Sequence, residues 1–503
     1  MNAPRLLGLS ASARNPWPGP GQSTLTESVL ALPHQDDLMD YIRVQGELCL
    51  EKYLEAGRKE GKNFADIYTN LRKMTKRAGL SNSELALSAA LWSAAQRGAE
   101  IRHVPLSAHF PPEGGVKAPD LLRDNLLWAD GLLIAGPVYF GDRSSLVKSL
   151  QDFILGDENL RESMRGKLYG GISVGAKRNG GQETTLIYQL VDMLDMGMLG
   201  VGNDSDTTAQ YGGTCHAGDV GTIHADKYGL DTSMGVGRRM AQTLTLLASA
   251  RRLKDRPKAL ALLLQDSDGL AKKQAEAWAA ELAPALDIQI LDLSGEQIRR
   301  CMACDICPME VGTDETYRCM VKSDAMKALH GEMLDYDMLI PIVVSTKDPR
   351  RLQGDYQKFM ERTRYLRRSD YIWSDTLVVP VALQEAGAVS TYNIRMLTSL
   401  IRHHTVMFRP LVGQIVRGEI LNPKDIGAGL EEAATDAARL AAGRLARALD
   451  GGVVGYNPVG YVLSADKGKD DSVIDRRVEA VKARVERLSR QAAQRLHPKD
   501  GDV

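Results

Sequence analysis

No stretch of this sequence approaches the ~20 consecutive apolar residues that a membrane-spanning helix needs, so a transmembrane protein is not expected. Charge of either sign is also not in excess. The 63 Lys and Arg nearly balance the 64 Asp and Glu, leaving no broad basic field to hold nucleic acid or an anionic membrane. Residues Met1 to Gly8 lack the long apolar region and cleavage site of a signal peptide. Cysteine is scarce, six in 503 residues, and its clustering suits a reducing compartment better than a disulfide framework. These absences lead us to expect a soluble, cytoplasmic protein whose partners are small molecules or other proteins. A chain this long exceeds one ordinary core and predicts two or three domains.

The few cysteines are concentrated. Cys301, Cys304, Cys307 and Cys319 fall within nineteen positions, with Pro308 after the third. The CxxCxxC spacing lets three thiolates converge on one centre and favours an iron-sulfur cluster, with a zinc site or packed, metal-free thiols as the alternatives. Eleven residues separate Cys307 from Cys319, which makes the fourth ligand the least determined.

Around this loop, apolar strands alternate with helical patterns. Arg5 to Leu9 reads as a strand running into Ser10-Ala-Ser12-Ala-Arg14, a small polar turn of the kind that offers amides to a phosphate. Prolines and glycines then break the chain, and residues 24–77 carry helical patterning with dense mixed charge, an inserted helical hairpin. Because it interrupts the turn, the insertion is expected near the mouth of any site there, as a lid, a contact surface or simply a solvated hairpin. Ser81-Asn82-Ser83-Glu84 opens a helix. Strands follow over Glu100 to Leu106, Gly131 to Ala135, Leu168 to Val174 and Met198 to Val201, with polar loops at Pro137 to Gly141 and Gly175 to Thr185, a Gly-rich loop, and a helix over Met234 to Arg252.

The pattern then repeats. Strands are expected at Ala259 to Leu264, Ile288 to Leu293, Met338 to Val344, Thr376 to Val381 and Val406 to Leu411, and helices at Leu270 to Leu282, Ser323 to Leu334, Asp355 to Tyr365 and Thr391 to Arg402. Strands alternating with helices predict doubly wound parallel α/β sheets, which bind ligands beyond the carboxyl ends of their strands. The matching order predicts an internal duplication, a covalent pseudo-dimer, with further homodimerisation left open. The expected domains are 1–252, containing the insertion, 258–415 with the cysteine loop, and a C-terminal helical extension over 416–503, with helices at Leu430 to Leu449 and Ser472 to Leu496 around Tyr456 and Tyr461.

Three loops of the first half resemble those of the flavodoxin-like NAD(P)H-dependent FMN reductases, a family that includes iron-sulfur flavoproteins. They are Ser12-Ala-Arg14, rejoined after the insertion by Ser81-Asn82-Ser83; Pro137-Val138-Tyr139-Phe140-Gly141; and Arg178-Asn-Gly180-Gly181-Gln-Glu183. The resemblance implies FMN, with Ser10, Ser12, Arg14 and the 81–83 segment at its phosphate, Tyr139 and Phe140 along its ring, and Arg178 to Gly181 at its pyrimidine edge. It also implies reduction by NAD(P)H and a small-molecule or redox-protein acceptor. Chemistry agrees, since hydroxyls, an arginine and helix-opening amides suit a dianionic phosphate, while aromatic and glycine loops suit a flat ring. No side-chain acid or base is demanded, and none is assigned.

The second half departs from all three loops, at Gln265-Asp266-Ser267-Asp268-Gly269, Pro341 to Ser345 and Gln384 to Val389. Two carboxylates and no arginine at the first would repel a phosphate, so this half is expected to keep the fold without the flavin. In iron-sulfur members of the family the cysteine loop carries a cluster, here a four-iron four-sulfur relay that in a dimer-like arrangement would face the other half's flavin. Three readings compete: an NAD(P)H-driven FMN oxidoreductase, an iron-sulfur electron carrier fed by ferredoxin, and a non-catalytic binding or assembly module. Cys215-His216 with His224 and Asp226 matches no strong metal spacing and reads as loop residues; His403-His404 reads as a structural pair, and Cys49 as a small apolar residue.

Overall fold

In the computed structural model, which describes residues 3–14, 19–57, 79–313, 315–455, 466 and 469–497, the chain divides into two units, one up to Leu244 and one from Thr245 onward. In the first, β1 (Arg5–Ser10) pairs in parallel with β2 (Glu100–Pro105) and β3 (Gly131–Pro137). β3 pairs with β4 (Leu168–Gly175). The fifth position is split between β5 (Leu199–Gly200), along the start of β4, and β6 (Gly213–His216), along its end. The resulting parallel order 2-1-3-4-5 is that of a flavodoxin-like doubly wound sheet. Helices cover both faces of such a sheet, so its strands read as unbroken apolar runs; Leu132, Leu133, Ile134 and Ala135 are all fully buried.

The helix Asn82–Ala95 starts where Ser81 caps it. The Glu84 amide donates to Ser81 Oγ at 3.2 Å and the Ser81 amide donates to Glu84 Oε2 at 3.0 Å, a reciprocal capping box. Within the expected insertion, helices Leu25–Leu30 and Gln35–Gly57 form, and residues 58–78 lie outside the described residues.

Three boundaries differ from expectation in the first unit. The 175–185 loop ends early, because the Gln182 side chain folds back onto Gly180 N and Lys177 O and the helix Gln182–Asp195 begins there. The Gly-rich loop contains β6, which prolongs the sheet beside β4. The last helix starts at Lys227 rather than Met234, since Asp226 accepts from the Gly229 amide at 3.1 Å and caps it.

The second unit has the same strand order. β7 (Lys258–Ser267) pairs in parallel with β8 (Asp287–Asp292) and β9 (Met338–Ser345). β9 pairs with β11 (Leu377–Val378) and β12 (Val381–Glu385), which pair in turn with β13 (Val406–Met407) and β14 (Leu411–Val416). Two short antiparallel strands are added, β10 (Leu352–Gly354) on β7 and β15 (Glu419–Ile420) on β14.

Here the sequence reading needs correction at two loops. Gln265 to Ser267, read as turn, are the last residues of β7, held extended by β10. Pro341 to Ser345, read as a middle loop, are buried in β9, and the loop begins at Thr346. The helix expected over Ser323 to Leu334 shrinks to Ala325–Ala328 and one 3-10 turn, Gly331–Met333, because His330 turns inward to meet Tyr365 Oη at 2.9 Å. Tail helices Pro423–Leu449 and Asp471–Arg495 belong to this unit and share a core of Leu445, Ala448, Leu488, Ala492 and Leu496. Tyr456 and Tyr461 lie outside the described residues. No helix among the described residues is long and apolar enough to cross a membrane.

Candidate functional site

Register places the three loops of the first unit together. Ser10 is level with Ala135, and Pro137 with Val174, so β1, β3 and β4 release their loops at the same carboxyl edge. Ser10 is fully buried, and its Oγ lies 2.9 Å from Nε2 of His103, whose Nδ1 lies 2.6 Å from Ser23 Oγ. Burial pushes His103 down to about 3, so the imidazole is neutral and bridges two hydroxyls, one as donor and one as acceptor. Ser12 Oγ accepts from the Arg14 amide at 3.2 Å, and Arg14 itself is exposed.

After the insertion, Ser81 spends an acceptor lone pair on the helix cap, and Ser83 is buried. Asn82 turns sideways. Its Nδ2 donates to Asp219 O at 2.9 Å and its Oδ1 accepts from the Ile223 amide at 3.3 Å, tying the helix start to the loop after β6.

The second loop is a hairpin turn. Tyr139 and Asp142 exchange backbone hydrogen bonds of 2.9 Å across Phe140 and Gly141, which have φ of 54° and 79°. Positive φ at both central residues is type I′ geometry, easy for Gly141 and costly for a bulky Phe140. Phe140 is also wholly exposed, and Tyr139 half exposed. Strain kept at an exposed aromatic is a mark of function.

The third loop presses on the second. A Cβ on Gly181 would lie 2.8 Å from Gly141 Cα and 3.4 Å from Val138 Cγ1, so the loops touch through glycines and leave no room for a side chain there. A Cβ on Gly141, by contrast, would point into open space, with nothing within 4 Å. Arg178 is held by the buried carboxylate of Asp226, donates to Thr214 O at 3.0 Å, and lies over the Tyr228 ring at 5.4 Å. Asp226 also accepts from the His216 amide at 2.6 Å. Gly180 is positioned by Gln182, and Glu183 stands exposed in the first turn of its helix.

The helix Gln35–Gly57 flanks these loops. The Cβ that Gly46 lacks would lie 2.2 Å from Gly221 O, and that of Gly221 would lie 2.0 Å from Gly46 O. Backbone meets backbone there, and the helix Gln35–Gly57 is fixed against the same loop that Asn82 holds.

At the corresponding place in the second unit, Asp266 is buried and its carboxylate accepts from the amides of Ala271 at 2.8 Å and Lys272 at 3.2 Å. The chain's own carboxylate therefore occupies the start of the helix Leu270–Glu281, the position at which a doubly wound sheet receives a phosphate.

In the cysteine loop, Cys307 is buried, Cys301 and Cys319 half-buried, and Cys304 exposed. Burial pushes the Cys307 thiol up to about 11, Arg368 opposes this, and the neighbouring Cys319 and Cys304 add to it. Arg364 Nη1 lies 3.8 Å from Cys301 Sγ, and Asp305 accepts from Arg364 at 3.0 Å and pairs with Arg368. Ala303 and Asp305, alternating between the cysteines, have φ of 52° and 49°. Among the described residues, no group of three or more His, Cys, Asp or Glu side chains converges on a metal position. The loop is compact and ringed by arginines, but its four thiols are not gathered on one point. Soft sulfur donors beside cations nevertheless suit the net negative charge of a ligated cluster.

Three residues of the site escaped the sequence reading. Gln182 was passed over between Gly181 and Glu183, though it organises the loop. Asp226 was weighed as a metal ligand and is the anchor of Arg178. His103 sits on β2 and carried no signal beyond its type.

Residues 75–207 match the family model for NADPH-dependent FMN reductase, a span containing Ser81 to Ser83, Pro137 to Gly141 and Arg178 to Glu183 but neither Arg14 nor the cysteine loop. An iron-sulfur flavoprotein of Methanocaldococcus jannaschii is 39% identical over 121 residues, 24% of this chain and 61% of that one. An NAD(P)H dehydrogenase (quinone) of Caulobacter vibrioides is 29% identical over 147 residues, 27% of this chain and 72% of that one. A WrbA-like flavodoxin structure from Agrobacterium tumefaciens covers 32% of this chain at 19% identity, with a TM-score of 0.24. The chain spans about three fifths of the length of the first curated relatives it matches, 61% and 62%.

Proposed function

From the match of residues 75–207 to the family model for NADPH-dependent FMN reductase, we infer that the chain is an FMN-dependent oxidoreductase passing electrons between NAD(P)H and a small-molecule or redox-protein acceptor. The observation that carries this reading is the contact of Gly181 with the strained Tyr139–Gly141 turn. Two loops from adjacent strand ends are pressed together through glycines, beside an aromatic held in the open. That is a cradle for a flat ring. Ser10, Ser12, Arg14 and the helix opening at Asn82, beside Ser81 and Ser83, are the residues to hold a phosphate; Pro137, Val138, Tyr139, Phe140 and Gly141 would flank the ring, and Arg178, Gly180 and Gly181 would meet its polar edge, with Glu183 at the rim. When bound, the flavin supplies the hydride and electron chemistry. The chain's part is position and charge. Asp226 fixes the Arg178 guanidinium, and neutral His103 fixes the Ser10 hydroxyl without bringing charge to the phosphate end.

The second unit, in this reading, is a duplicated copy that gave up the cofactor. Asp266 supports this, since it puts a carboxylate where a phosphate would sit. Its cysteine loop would hold a four-iron four-sulfur cluster through Cys301, Cys304, Cys307 and Cys319, as an electron relay. The arginines 364 and 368 beside the thiols and the naming of the Methanocaldococcus relative support that extension.

Anaerobic purification followed by flavin, iron and sulfide analysis tests both parts. The expected result is one FMN per chain with iron and acid-labile sulfide, and rapid bleaching of the flavin by NADH or NADPH in a stopped-flow mixer. Flavin that ignores both nucleotides but is reduced by ferredoxin would make the protein an iron-sulfur electron carrier. Failure to retain or bind FMN would overturn the reading in favour of a non-catalytic module.

A further inference from the structure

We propose that Arg143 is a positioning residue for the flavin ring, a brace that ties the Tyr139–Asp142 turn to the helix opened by the third loop and so keeps Phe140 in its left-handed conformation. The inference rests on the flavin reading above and adds a residue to those already assigned there.

The chain after the turn leaves little slack. Asp142 ends the turn, and Ser144 already caps the next helix, Ser145–Leu155, by accepting from the Leu146 amide at 3.3 Å. Arg143 is the single residue between them. Asp142 Oδ1 accepts from the Arg143 amide at 2.7 Å and from its Nη1 at 2.9 Å, so backbone and guanidinium of one residue hold the carboxylate at the foot of the turn. The other prong reaches away. Nη2 donates to Gln151 Oε1 at 3.3 Å and lies 2.7 Å from Asp192 Oδ2, on the helices that follow β3 and β4. The guanidinium is 18% exposed, which shelters these contacts from the screening that weakens surface pairs.

Asp192 lies about 15 Å along its helix from Gln182, at 1.5 Å per residue. Gly181 meets Gly141 at the start of that helix, so the segment 141–143 holds the helix at two separated points. Sliding or swinging of the helix against the turn is thereby opposed. A non-glycine residue left to itself escapes the left-handed region, and it stays there when surrounding contacts over-determine it. Here escape of Phe140 from its φ of 54° would move Asp142 and break the contacts of Arg143. Without the brace, the turn of the flavin-free protein relaxes, and apparent affinity falls in proportion to the fraction still in the binding-competent form. For one left-handed residue that fraction is about one in ten. Glycine at position 140 would adopt positive φ freely, leaving the brace nothing to hold.

FMN and riboflavin share the ring and differ in the phosphate, so both must report the turn equally. Full-length protein stripped of flavin is titrated with each, by quenching of flavin fluorescence, for wild type, Arg143→Met, Phe140→Gly and the double variant. Arg143→Met is expected to weaken both ligands by the same factor, about tenfold. In the Phe140→Gly background the same substitution should weaken them by less than about twofold. Equal losses in the two backgrounds would reduce Arg143 to a brace between helices, and a loss confined to FMN, or none at all, would remove it from the ring. Each of these overturns the proposal and leaves the flavin reading intact. A wild-type chain that binds neither ligand overturns the flavin reading, and the proposal with it. Should Arg143→Met not fold, Asp192→Asn, which removes the charge at the far end of the brace and keeps its shape, is compared in the same two backgrounds, with the same expected and refuting outcomes.

Discussion

Replacing Glu84 with Gln separates the two partners of the buried carboxyl. Glu84 is 2% exposed, and desolvation raises it from 4.5 to about 7, against the lowering effect of the Ser81 hydrogen bonds and of Lys52. A carboxyl whose folded value lies above its unfolded one binds its proton more tightly when folded. Its cost is therefore absent below about pH 4.5, grows as the pH rises, and is complete above about 7. At 1.36 kcal/mol per pH unit, the ionised group costs the fold about 3 kcal/mol at pH 8. Gln keeps an oxygen for the Ser81 amide, so the capping box survives, while the attraction to Lys52 is lost. The expected net gain for Glu84→Gln is about 1–3 kcal/mol at pH 8, or ~2–4 °C per kcal/mol in a unit of this size, falling to nothing near pH 4.5. Thermal unfolding of the full chain at matched flavin content, followed from pH 4.5 to 8, measures it. A variant less stable than wild type at pH 8, or a difference that ignores pH, would show that Glu84 is an ion-pair partner of Lys52 above all, and would refute the reasoning.

Phe140→Gly should leave the melting temperature unchanged or raise it, because a non-glycine left-handed residue costs about 1–2 kcal/mol, while flavin binding weakens as an exposed aromatic wall is lost; calorimetry and flavin titration on one sample show both. Asp226→Asn removes the countercharge of Arg178 and should cost about 2 kcal/mol or more, seen as a lower melting temperature together with weaker FMN binding. Asp266→Ala removes a helix cap, costing about 0.5–2 kcal/mol, and flavin stoichiometry should stay at one per chain. Cys319→Ser is expected to lower iron and sulfide content while flavin content holds, and unchanged iron would remove Cys319 from the ligand set.

Much of the sheet was legible because parallel strands buried on both faces write themselves as apolar runs, and because Ser81 with Glu84 spells a capping box. The errors arose where a distant partner overruled local chemistry. Asp266-Ser267-Asp268-Gly269 has the composition of a turn, yet β10, far along the chain, pairs with its first two residues and keeps them extended. Pro341 suggested a loop and lies within a parallel strand. The three site loops were found as motifs, but their supports were not. Arg178 and its anchor Asp226 are 48 residues apart, and nothing local in the sequence pairs them. The spacing of the cysteines suggested a shared centre, on which the four thiols do not converge, while their arginine neighbours, contributed by a later helix, could not be read from the spacing.

The reciprocal approach of Gly46 and Gly221 also bears on how such a chain can change. Neither position can gain a side chain while the other keeps its place, and Gly221 has a φ of 73° that disfavours replacement in any case. The helix Gln35–Gly57 is thereby tied to the loop after β6. The two must be inherited together. Grafting the helix onto a related sheet that has a larger residue at the position of Gly221 would hold it off by the width of a methyl group.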